Sequence, residues 1–289
     1  MAAEPRTPEA VEHAAEAVEH AAEFDPGGMI MHHILDSNEI EIPFFTDFTG
    51  KSLHLPEIHL FGQDFSITKL TVMMWIVAVG LLFMFWRAAK RSHEPVPRGF
   101  RNFAEIFILY IRDEVARKCI GEKDGDRYLP YLLTTFFFIL GCNLLGLIPG
   151  GATATGAISV TATLALISFL VTQMAGIRNY GLGGHIKNLV PHGLPKAILP
   201  IIIPVEILGM FTKPFALAIR LFANMTAGHV VILSLVSFVF ILKTPFVAIG
   251  TVPFSLFIGV LELLVAVIQA FIFTMLTALF IGMSAHPAH

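Results

Sequence analysis

The chain has 289 residues, 55% of them hydrophobic and only 14% charged, with a formal net charge of −3 and a mean hydropathy of +0.73. An ordinary soluble domain carries about a quarter charged residues, so that class is excluded, as is a basic nucleic-acid binder. What remains is an all-α polytopic membrane protein.

Residues 1–28 form a polar arm rich in Ala, Glu and His, with the seven-residue unit AVEHAAE at 10–16 repeated at 17–23. Only its valines recur as a large apolar group, so the arm reads as a lone polar helix or a disordered extension. No basic stretch leads into an apolar core here, so no cleavable signal peptide is expected. Residues 29–66 read as a non-spanning lead-in on the outer side, with turn signals at Pro43, Gly50 and Pro56.

The membrane domain is expected over 67–284. Its first span covers about 67–86. Arg87, Lys90, Arg91, Arg98 and Arg101 follow, against a single acid, Glu94. The excess of basic residues puts this loop in the cytoplasm and the N-terminus outside. Residues 100–121 alternate apolar and charged positions with a helical period. Ile106, Leu109, Tyr110 and Val115 fall near one face, which predicts an interfacial amphipathic helix. A second span follows at 128–148, closed by Pro149-Gly150-Gly151, and a third at 157–176. The loop 149–156 lacks Lys and Arg, as an exterior loop should, whereas 177–197 carries Arg178, Lys187 and Lys196.

Two longer apolar segments, 200–242 and 245–284, complete the domain before a short cytoplasmic tail at 285–289. Each is about twice the ~20 residues that suffice to cross a bilayer. They read as an antiparallel pair of strongly tilted helices turning near Lys243-Thr244-Pro245, the first kinked at Pro204 and Pro214. A hairpin of two short spans is the alternative for each. Five crossings result.

Cys119 and Cys142 have neither metal-ligand spacing nor a disulfide framework; Cys142, inside an apolar run, reads as a small buried thiol. No metal or cofactor site is expected.

One charge stands out. Arg220 sits in the middle of an apolar segment, where a guanidinium that cannot deprotonate costs at least ~2.5–3.5 kcal/mol. On an ideal helix Glu206, Lys213 and Asn224 fall within about 40° of it, making one polar stripe. Gly209, Ala216, Ala223 and Ala227 flank that stripe, and small residues let another helix approach closely. The stripe is therefore a contact surface for a partner or a path lining. The alternative is an ion-pair brace from Glu206 to Lys213 or Arg220.

The last segment carries Glu262 and Gln269, seven residues apart and so on one face. Counted from the turn at Thr244, Arg220 matches Gln269 in depth and His229 matches Glu262. A carboxylate beside an imidazole can tune both groups and relay a proton. His229 lies nine positions past Arg220, though, so an ideal helix points it to the opposite side. Curvature near Gly228 or side-chain reach is then needed to reconcile the two.

With ALAIRLFANM at 216–225, FTKP before it, AGH after it and LELLVAVIQAFIFTMLT at 261–277, the chain resembles subunit a of the membrane sector of F-type ATP synthases. FFFILGCNLLGLIPG at 136–150 adds weaker support. The resemblance covers roughly 66–284. It implies that Arg220 faces a rotor ring of c subunits, with Asn224 its neighbour. It also implies that Glu206, His229, Glu262, Gln269 and Asn143 are polar positions of two proton half-channels. A c-subunit ring, b-type peripheral stalk subunits and the bilayer are the implied partners, in a bacterial cell membrane.

Protons would enter from outside near His229 and Glu262, neutralise a ring carboxylate, and leave to the cytoplasm after Arg220 discharges it. The chain has no P-loop, so no ATP chemistry of its own is expected. The competing class is a secondary transporter or respiratory-complex subunit moving ions through its own bundle, but no inverted repeat is found. A haem protein would need paired intramembrane histidines, and only His229 lies deep in an apolar segment.

Overall fold

The computed structural model describes residues 28, 36, 39–40, 53–54, 59–60, 63–64, 66–90, 100–148, 153–188, 199–242 and 245–286. The duplicated arm, most of the lead-in, the basic loop 91–99 and the last three residues lie outside the described residues.

Two short antiparallel ribbons mark the lead-in: β1 (Glu39–Ile40) with β2 (Leu53–His54), and β3 (His59–Leu60) with β4 (Gln63–Asp64). The rest is helical: α1 (Lys69–Lys90), α2 (Phe100–Tyr110), a π-helical turn (Ile111–Ala116), α3 (Arg117–Ile120), α4 (Glu122–Gly146), a 3₁₀ turn (Ala154–Gly156), α5 (Ile158–Asn188), α6 (Leu199–Leu242) and α7 (Pro245–Ala285). Five of these are long and apolar enough to cross a membrane: α1, α4, α5, α6 and α7. The protein is an all-α polytopic membrane protein.

The amphipathic stretch departs from its expected single face. Ile106, Leu109 and Tyr110 are exposed, whereas Val115 is buried with Ile111, Ala116 and Ile120. The π turn is the cause: one wider turn shifts the helical phase, so residues before and after it point to different sides. α4 also begins six residues before the expected span. Glu122 and Asp124 occupy its first turn, where acidic groups favour the helix N-terminus. The Arg117 guanidinium reaches Asp126 at 2.9 Å.

α5 runs to Asn188 instead of ending near 176, but it breaks at Gly181, whose φ is 70°. A residue without a Cβ takes that left-handed conformation at little steric cost. Beyond the break the chain folds back, and His185 Nε2 lies 2.8 Å from Gln173 Oε1.

α6 and α7 are single helices of 44 and 41 residues, so neither is a hairpin of short spans. Pro204, Pro214 and Pro253 lie inside them. At 1.5 Å per residue they are about 66 and 61 Å long.

The core forms where α4, α6 and α7 meet. Leu132, Phe136 and Ile139 of α4 pack with Leu217, Leu221 and Met225 of α6 and with Phe273 and Ile281 of α7. α7 turns its small residues inward, with Ala266, Ala270, Thr274, Thr277 and Ala278 all buried. Close backbone approach is what holds helices together where lipid removes the hydrophobic drive. At Gly282 this is extreme: an added Cβ would collide with the Cys119 carbonyl.

Candidate functional site

α6 has two unlike sides. Leu217, Ala218, Leu221 and Met225 are buried against the bundle. Ala216, Ile219, Arg220, Ala223, Asn224 and Ala227 are exposed on the other side. Arg220 thus projects from an open face of small residues. Among the described residues it makes no hydrogen bond or ion pair, and neither does Glu206. The brace from Glu206 to Lys213 or Arg220 is absent there.

His229 lies on the bundle side. Its Nδ1 is 2.8 Å from Glu262 Oε1, and the two side chains are 18% and 3% exposed. The nine-residue offset from Arg220 therefore needs no helix distortion: Arg220 faces outward and His229 faces inward. Gly228 makes the approach feasible, because a Cβ there would stand 2.7 Å from Glu262 Oε1.

Two more partners meet the other ring nitrogen. His229 Nε2 is 3.0 Å from the Gly146 carbonyl of α4 and 3.0 Å from Thr153 Oγ1. A carbonyl only accepts, whereas a hydroxyl donates or accepts. A protonated Nε2 can therefore donate to Gly146, and a bare Nε2 can accept from Thr153. With Nδ1 donating to Glu262, the site satisfies both the neutral and the charged imidazole. Glu262 Oε2, by contrast, is buried without a partner among the described residues.

Gln269, two turns along α7, is buried as well. Its Oε1 accepts a 2.9 Å hydrogen bond from Asn224 Nδ2, and its Nε2 is buried without a partner among the described residues. The residue that engages Gln269 is thus Asn224, one turn beyond Arg220. Asn143 is fully buried. Its Nδ2 donates to the Ala266 carbonyl at 3.2 Å, and its Oδ1 accepts from Thr155 Oγ1 at 2.5 Å. It ties α4 to α7 one turn before the Gly146 carbonyl used by His229.

Glu206 and Lys213 lie elsewhere. They line a cavity of about 560 Å³ between α3, α5, the first half of α6 and the end of α7. Lys213 Nζ sits 5.6 Å above the Phe280 ring. Polar groups therefore occur in two clusters, one on each side of Arg220 along α6. No set of three His, Cys, Asp or Glu able to hold a metal occurs among the described residues.

Sequence reasoning did not find Thr153, Thr155 or the Gly146 carbonyl, because these contacts join segments 12 to 83 residues apart. It also missed His185. The cluster of Gly181, Gly183 and Gly184 was the available signal for the reversal that brings His185 into the cavity.

Residues 71–282 match the ATP synthase A chain family. The chain is 50% identical over 269 residues to the ATP synthase subunit a of Chlorobium phaeobacteroides (strain BS1), covering 91% of this chain and 78% of the relative. To that of Chloroherpeton thalassium it is 48% identical over 264 residues, covering 90% and 77%. To that of Anaeromyxobacter dehalogenans (strain 2CP-1) it is 49% identical over 267 residues, covering 89% and 69%.

Proposed function

Because the chain belongs to the ATP synthase A chain family, we propose that it is the stationary, proton-conducting subunit of the ATP synthase membrane sector. Its partners are a ring of c subunits, b-type peripheral stalk subunits and the catalytic complex they connect to. It lies in a bacterial inner membrane, with its N-terminus outside and its C-terminus in the cytoplasm. α6 and α7, about twice the length a bilayer needs, run antiparallel and strongly tilted along the ring.

The observation that carries this reading is the outward Arg220 on an open small-residue face, with separate polar clusters on either side. His229 is nine residues beyond it, about 13 Å along the helix, and Glu206 is 14 residues before it, about 21 Å. Protons from outside reach His229 and Glu262, which pass them toward Gln269 and Asn224. The proton then neutralises a ring carboxylate, and the neutral ring site turns into lipid without the cost of a bare charge.

After a revolution that site meets Arg220. A nearby cation favours the ionised carboxylate, so the proton leaves through the cavity lined by Glu206 and Lys213. The same fixed charge opposes leakage from one cluster to the other. Each proton crossing supplies about 2.3 kcal/mol per 100 mV, so several are needed for each ATP made by the attached catalytic head. This chain conducts and does not catalyse.

Cross-linking tests the rotor-facing assignment. Ala223→Cys and Ala227→Cys should each form disulfides with cysteines placed along the ion-carrying helix of a c subunit in the assembled complex. Cross-links only to peripheral stalk subunits, with none to the ring, would overturn the assignment.

A further inference from the structure

The cavity beside Glu206 contains a histidine that the mechanism above does not use. His185 reaches it only because α5 breaks at Gly181 and the chain folds back. Its Nε2 is 2.8 Å from Gln173 Oε1. An amide oxygen can only accept, so Nε2 carries the hydrogen in the neutral ring and Nδ1 holds the lone pair. Nδ1 lies over Gly176, where an added Cβ would collide both with it and with Ser284 Oγ. The bare glycine thus makes room for ring and hydroxyl to converge. Ser284 Oγ itself is buried with no partner among the described residues. One ring nitrogen is held by Gln173, and the other lies over Gly176 beside the Ser284 hydroxyl.

We propose that His185 is a proton-relaying residue of the outlet cavity, taking up a proton at Nδ1 and releasing it from the same atom while Gln173 holds Nε2–H. The step is a reversible protonation of imidazole to imidazolium and needs no other reactant. It rests on the reading of this cavity as the cytoplasmic half-channel. The charged or titratable groups that share the cavity among the described residues are Lys118 and Cys119 from α3, Glu206 and Lys213 from α6, and His286 beyond α7. Glu206 is the sole carboxylate of that set, so it is the source or acceptor for the imidazole proton.

The test uses the assembled complex in vesicles, with ATP synthesis driven by an imposed proton gradient. His185→Gln keeps a hydrogen-bonding side chain but no titratable nitrogen, and His185→Leu removes both. Both should slow synthesis roughly tenfold or more, in line with losing a positioned proton-transfer group. Added imidazole should restore much of the rate in both. Wild-type rates in both variants would overturn the relay. So would a loss in the leucine variant that glutamine repairs and imidazole does not, which is the signature of a packing role.

A second arm separates this from the half-channel itself. In a Cys119→Ala background, Met210→Cys should be blocked by a small thiol reagent added from the cytoplasmic side. Blocking with normal His185 variants rejects the relay alone. No blocking at Met210→Cys rejects the half-channel.

Discussion

His229 has a partner for each protonation state, whereas Glu262 has one oxygen engaged and the other buried without a partner among the described residues. The imidazole can therefore gain or lose a proton at Nε2 without stranding that nitrogen, and leaving a buried polar group isolated costs about 1–3 kcal/mol. Replacing either residue with leucine should strongly slow proton translocation while leaving assembly largely intact. The double exchange His229→Glu with Glu262→His should retain more activity than either single exchange; no advantage for the double would refute the coupled pair. Gly228→Ala offers a cleaner probe of geometry. In an open helix that change gains up to about 1 kcal/mol, yet here the new methyl would meet Glu262 Oε1 at 2.7 Å. Proton flux in reconstituted vesicles should fall although the helix itself is improved.

Among the helices, bare backbone sets which contacts are close. Gly282 of α7 abuts the Cys119 carbonyl of α3, whereas nothing stands within 4 Å of a Cβ at Gly80 on α1. Gly282→Ala should therefore lower the yield of assembled complex, measured by co-purification, and Gly80→Ala should leave it unchanged. Comparable yields for both would mean that the α3–α7 contact is not needed for folding. The spans themselves were legible in the sequence, because apolar length against bilayer thickness is a strong constraint. So was the meeting of His229 with Glu262, found by counting from one turn. The phase shift at 111–116 was not, since a π turn arises from packing that composition does not encode. Nor was the reversal at Gly181, where one positive φ decides that His185 enters a cavity instead of continuing a helix.

Across the whole molecule, the arrangement separates two polar clusters by a helix face that carries Arg220 outward. The sequence contained the residues of both clusters but not their partition. Helical phase put Glu206, Lys213, Arg220 and Asn224 on one stripe; in the fold Glu206 and Lys213 open to the cavity, and Asn224 bonds Gln269. The proposed orientation in the bilayer rests on the distribution of basic residues among the loops. His20→Cys should be labelled from the outer side and His289→Cys from the cytoplasm, in intact cells and in inverted vesicles. Labelling of position 20 from the cytoplasm alone would defeat the five-crossing topology.

The separating role of Arg220 is tested most directly in reconstituted vesicles containing the assembled complex, by measuring ATP synthesis and passive proton flux together. Arg220→Ala should abolish proton-driven synthesis, because nothing then forces the ring carboxylate to discharge, and it should raise passive flux, because the barrier between the clusters is electrostatic. Arg220→Lys should also be severely impaired, since a compact ammonium can lose its proton on burial where a guanidinium cannot. Near-normal synthesis with unchanged proton flux in the alanine variant would contradict the rotor-facing assignment.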